Sequence, residues 1–175
     1  GFGKSTLLTQ WHAQLLAREP AAVAWLSLDE EDAEPARFLG HLALALQGAG
    51  ADPALCAPAL HGRDHDPRDA LNALIRALRA APRRISVILD DSDRPGGSAI
   101  DELVLRLIEH AGGRLHLLLS TRRVPGLPLA RLELQAQLTR VGSTQLALDE
   151  DEAQALLGAQ VAAPVVDDLR SYTEG

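Results

Sequence analysis

The chain opens on Gly1-Phe2-Gly3-Lys4-Ser5-Thr6, and no other stretch restricts its fold as much. These residues match the close of the pattern Gly, four residues, Gly-Lys-Ser/Thr, a loop that runs from a buried strand into a helix and cradles phosphate. Gly3, Lys4 and Ser5 take the last three places. The first glycine of the pattern falls ahead of Gly1. The expectation is therefore a fragment that begins inside its own phosphate-binding loop.

The residue types follow from the chemistry. Phosphate oxygens need several backbone N–H donors at close range, so Gly1 and Gly3 leave the backbone bare. A helix starting near Lys4 adds the positive end of its dipole. Lys4 is expected to reach the β- and γ-phosphates, and the Ser5 hydroxyl to hold Mg²⁺. Thr6 would add a hydroxyl behind the metal ligands or at the helix start. A glycine-rich turn ahead of an ordinary helix is the plainer alternative. The two separate on whether a later strand supplies a carboxylate.

That strand is expected at Ile85-Ser86-Val87-Ile88-Leu89, which runs straight into Asp90-Asp91. A near-continuous apolar run of this length fits a strand buried on both faces of a parallel sheet. Asp90 is expected to hold Mg²⁺, and Asp91 to polarise an attacking water. The plainer alternative is an Asp-rich turn after a buried strand. A further strand, Leu115–Leu119, ends in Ser120-Thr121-Arg122-Arg123. Polar groups at the carboxyl end of a parallel strand face a ligand crevice. Ser120 or Thr121 would sense a γ-phosphate and Arg122 would neutralise its charge, whereas Arg123 reads as a solvated side chain.

The remaining order is that of an α/β chain. A helix is predicted over 5–18. A strand over 22–28 ends in Asp29-Glu30-Glu31-Asp32, where a carboxylate cluster could sit near Mg²⁺; a solvated helix cap is the preferred reading for Glu30 and Glu31. Glu34-Pro35 opens a second helix with Phe38, Leu39, Leu42 and Leu46 as its buried stripe. Residues 48–66 read as a loop with at most a short helical turn, and His61 and His65 beside Asp64 and Asp66 match no metal-ligand spacing. Asp66-Pro67 starts a helix, and Ser98 is expected to cap another with Asp101 in the capping-box place. Residues 132–141 are ambiguous. A last strand is predicted over 144–148, followed by helices from Asp149 and from about Pro164. The nucleotide-binding core is placed at 1–148, with 149–175 a helical segment leading to another domain.

Composition sets bounds. The net charge of −7 over 175 residues disfavours direct contact with nucleic acid. The one cysteine, Cys56, excludes an intrachain disulfide and fits a cytoplasmic location. No apolar run is long enough to cross a bilayer.

Several stretches together carry a family resemblance. They are the Gly-Phe-Gly-Lys-Ser-Thr start, Val23–Asp29, the segment from Asp32 to Phe38, Ile88–Asp91, Ser120-Thr121-Arg122, Leu127–Leu132 and Tyr172–Gly175. In these the chain resembles the ATPase domain of STAND-class regulators, and within them the MalT-like, LuxR-type large ATP-binding regulators of bacteria. The resemblance implies a P-loop NTPase sandwich with a mostly parallel sheet ordered 5-1-4-3-2, its first strand lying ahead of Gly1. It implies ATP and ADP as switch ligands, self-association of the full-length protein when ATP and a small-molecule inducer are bound, and DNA contact through a C-terminal domain outside this sequence. Ser92 and Asp93 stand where the family often has an aromatic and a histidine, which bears on hydrolysis. A P-loop small-molecule kinase and a nucleotide-free scaffold are the alternatives. Hydrolysis is expected of the full-length parent, and weak or no nucleotide binding of this chain by itself.

Overall fold

The structure, a computed structural model, describes residues 3–18, 22–61 and 66–147. The chain divides into two units, one formed by Leu8–Leu127 and the other by Gly1–Leu7 with Pro128–Gly175.

The first of these is built on a parallel sheet. Its strands are β1 (Val23–Ser27), β2 (Ile85–Asp90) and β3 (Leu115–Leu119), in the order β1-β2-β3. Parallel neighbours need long crossovers, and the chain supplies them as helices. Between β1 and β2 lie α2 (Pro35–Gly48), α3 (Pro53–Leu60) and α4 (Pro67–Ala80); between β2 and β3 lies α5 (Ser98–His110). The fold is α/β, as expected. These strands correspond to the 4-3-2 part of the expected order.

The register fixes what each face presents. Trp25 pairs with Ile88, and Ile88 with Leu118. Side chains alternate across a strand, so these three share a face. The helix α1 (Lys4–Arg18) lays its one buried residue, Leu8, on that face against Ile88 and Leu118, with Val23 and Trp25 packed alongside. Two ring contacts extend the seam: Trp11 meets His116 edge-on at 6.3 Å, and His12 meets Trp25 at 5.2 Å. The opposite face, including Ala24, Leu26, Val87 and Leu89, is buried. The β2 strand is central and buried from Ile85 to Leu89, which accounts for its unbroken apolar run.

Helix starts follow local chemistry. Asp66 and Asp52 each precede a proline at the first helical turn and each accept a backbone N–H, from Arg68 and Ala54, both at 2.8 Å. The stripe Phe38, Leu39, Leu42 and Leu46 of α2 is buried as expected.

Four expectations change. Residues 48–66 hold the two-turn helix α3, with Cys56 and Ala59 buried. The cap of α5 is Gly97 (φ +88), and Ser98 is the first helical residue. Asp101 closes no capping box; its Oδ2 accepts the Gly126 N–H at 2.7 Å and ties down the loop after β3. In the other unit, α6 (Leu129–Leu134) occupies part of the ambiguous stretch, and α7 (Ser143–Leu146) replaces the strand expected over 144–148. A strand needs a ladder partner for its backbone groups. These residues bond locally instead, with Leu146 N–H to Gly142 O at 3.2 Å and Gly142 N–H to Gln145 Oε1 at 2.8 Å. Gly1, Leu148 and the helices expected beyond Asp149 lie outside the described residues, as does the boundary placed at 149.

Candidate functional site

The residues expected to close a phosphate loop stand at the start of α1. Gly3 has φ +67, in the left-handed region that glycine adopts freely, and its carbonyl accepts the Leu7 N–H at 2.9 Å. An added Cβ would meet no atom within 4 Å, so the backbone angle, not crowding, is what calls for glycine here. Lys4 is the first helical residue and half-buried; Ser5 and Thr6 follow it, exposed, on the first turn.

Asp90, Asp91, Ser120 and Arg122 stand at or just beyond the carboxyl ends of β2 and β3. Asp90 is the last residue of β2, half-buried, and by alternation shares the face of Ile88, the face that α1 covers. One of its oxygens, Oδ1, accepts the Asp91 N–H at 3.0 Å, which fixes the carboxylate without neutralising it. Asp91 has φ +52, a conformation uncommon for a residue with a side chain. Its Oδ2 is paired with Arg94 Nε at 3.2 Å. Ser120 is buried and joins β2 through its N–H, which donates to Leu89 O at 2.9 Å. Arg122 is exposed, and its backbone N–H donates to Asp93 Oδ1 at 3.1 Å. Arg123 is exposed too, as expected.

Ser92 and Asp93 therefore have work that a family pattern did not show. The carbonyl of Ser120 accepts both the N–H and the hydroxyl of Ser92, at 2.8 and 2.9 Å. With the Asp93–Arg122 bond, these contacts stitch the loop after β2 to the loop after β3. Arg94, which pairs with Asp91, is the functional neighbour the sequence reading missed; a basic side chain three positions after an acid in a tight turn is the signal that marks it.

The acids after β1 form a separate cluster. Asp29 caps a 3-10 turn (Glu30–Ala33), accepting from Glu31 N and Asp32 N, and Asp32 Oδ2 accepts the Asp29 N–H in return. Arg37 draws Asp29 and Glu31 together by ion pairs. Asp32 is buried, with Oδ1 at 3.5 Å from Arg37 Nε and 2.8 Å from His41 Nδ1, without hydrogen-bond geometry to either. These carboxylates are held by the turn and its arginine, so the capping reading applies to them.

Among the described residues no group of three His, Cys, Asp or Glu side chains forms a metal cage. Mg²⁺ does not require one. It takes one or two protein oxygens and completes its shell with water and phosphate. A lone hard carboxylate at a strand end fits that donor set.

No protein-family model matches the chain. It is 33% identical over 183 aligned residues to the serine/threonine-protein kinase PknK of Mycobacterium tuberculosis, a match covering all of this chain and 16% of that protein. It is 32% identical over 167 residues to the HTH-type transcriptional regulator MalT of Cronobacter sakazakii, covering 94% of this chain and 18% of that one. The MalT of Yersinia enterocolitica is 30% identical over the same length and shares. The chain thus spans less than a fifth of the length of these curated relatives. It is a MalT-like segment, homologous over most of its length to a stretch that the MalT regulators and PknK have in common.

Proposed function

We propose that the chain is the nucleotide-responsive switch segment of a larger bacterial transcriptional regulator, binding ATP or ADP with Mg²⁺. The observation that carries this is Asp90. It ends the buried central strand as a half-buried carboxylate, on the face against which Leu8 of α1 packs. In this reading Lys4 sets its ammonium against the β- and γ-phosphates, and Ser5 and Asp90 hold Mg²⁺. Bound Mg²⁺ offsets phosphate charge. Asp91 orients water once it leaves Arg94, and Ser120 and Arg122 report the γ-phosphate to the loops stitched by Ser92 and Asp93. A ligand shifts a conformational equilibrium only through contacts that differ between states. ATP has such contacts with Ser120 and Arg122, and ADP lacks them.

The relatives support a control role. One is named a protein kinase and the others transcriptional regulators, yet they align to the same stretch. A segment shared by proteins of different output fits regulation better than either output. DNA contact and self-association are then tasks of the rest of the protein, in response to an inducer.

The test is calorimetric titration of ATP into the protein extended upstream of Gly1. Binding is expected in the wild type, lost in Lys4→Ala, and retained without Mg²⁺-dependent turnover in Asp90→Ala. Normal turnover in either variant would overturn the assignment.

A further inference from the structure

The chain carries a net charge of −7, yet residues 70–89 contain four arginines and no acidic residue. Two of them, Arg76 and Arg79, stand one turn apart on the exposed side of α4. They form one wall of a groove of about 340 Å³ between α4 and α5. Arg106 and His110, one turn apart on α5, form the other wall, and Leu71 and Ile75 lie at its base.

Like charges at one-turn spacing disfavour a helix. Folding alone gives no reason for such a grouping in an acidic chain. Among the described residues Arg76 and Arg79 have no carboxylate partner, and Arg106 has only Glu102 at 3.8 Å, with both side chains exposed. Guanidinium groups bind carboxylates in a planar, two-pronged manner. From Asn72 to Arg79 the α4 wall runs ~10 Å, about two helical turns.

We propose that this groove is a docking surface for an acidic polypeptide segment, a helix whose carboxylates at one-turn spacing pair with Arg76 and Arg79. Nucleic acid fits less well. The groove is short, and the net negative charge of the chain would repel a polyphosphate that extends beyond it. The surface is separate from the candidate nucleotide site, and the inference does not rest on that reading.

The test uses fluorescence anisotropy of a fluorescein-labelled helical peptide of Glu, Ala and Leu, titrated with the 175-residue chain. Saturable binding that weakens with added salt is expected. The Arg76→Glu/Arg79→Glu double variant is expected to weaken it about tenfold or more, and Arg76→Gln/Arg79→Gln to weaken it less. Arg18→Glu, at the end of α1, is expected to leave it unchanged. Wild-type affinity in both double variants overturns the proposal. So does equal binding of the same peptide with Lys in place of Glu, or displacement of the peptide by inorganic pyrophosphate or a thymidine oligonucleotide at matched charge.

Discussion

At the residue scale the two acids after β2 differ in state. The Asp90 carboxylate is oriented by its neighbour's N–H and, among the described residues, is paired with no arginine. Asp91 is held in a left-handed turn by Arg94. An exposed ion pair of this kind contributes at most ~1 kcal/mol, so Arg94→Ala is expected to leave the melting temperature nearly unchanged. It also frees Asp91, so ATP turnover by the upstream-extended protein is expected to rise; a fall would mean that Arg94 assists the reaction directly. His116 gives a pH prediction. Burial, and then the nearby Arg84, lowers its pKa from the usual 6.5. The folded chain thus disfavours the charged imidazole more than the unfolded chain does. The stability this confers is present above about 6.5 and is lost as pH falls through the lower folded value. His116→Gln is expected to flatten the acid side of a urea-midpoint profile in that window. An unchanged slope would show that other groups set it. Cys56, fully buried, has its thiol pushed upward by burial and by Asp52, so thiol reagents are expected to act on it only after local opening.

At the element scale, much was legible in the sequence. The central strand β2 was readable because a strand buried on both faces must be apolar throughout; β1 and β3, in part only half-buried, were readable as apolar runs that end where polar residues begin. Their carboxyl-end residues, Asp90 and Ser120, could be placed for the same reason. The α3 helix was not readable: Pro58 inside it and its uniform Ala, Pro and Leu content erase the helical stripe. Its Asp52-Pro53 start was nonetheless the same signal that marked α4. Asp101 was misassigned because a carboxylate three residues past a serine suits a capping box, whereas its actual partner, Gly126, is remote in sequence. Ile88 shows what the central strand contributes. It is fully buried between Leu8 and Leu118. Ile88→Ala is expected to cost ~2–5 kcal/mol, read as a lower urea midpoint with little change in slope. A loss under about 0.5 kcal/mol would mean that α1 does not depend on this contact.

At the scale of the whole molecule, the account depends on two sequence-distant sets of groups meeting one ligand. Lys4 and Ser5 open α1, and Asp90 ends the central strand β2. The most direct measurement uses Mn²⁺ in place of Mg²⁺ with ADP, bound to isotope-labelled protein extended upstream of Gly1. Paramagnetic broadening is read at individual amides. Strong broadening of both Ser5 and Asp90, abolished by Lys4→Ala through loss of nucleotide, is the expected result. Broadening at one of the two while the other stays sharp would contradict the claim that they share a metal and a nucleotide.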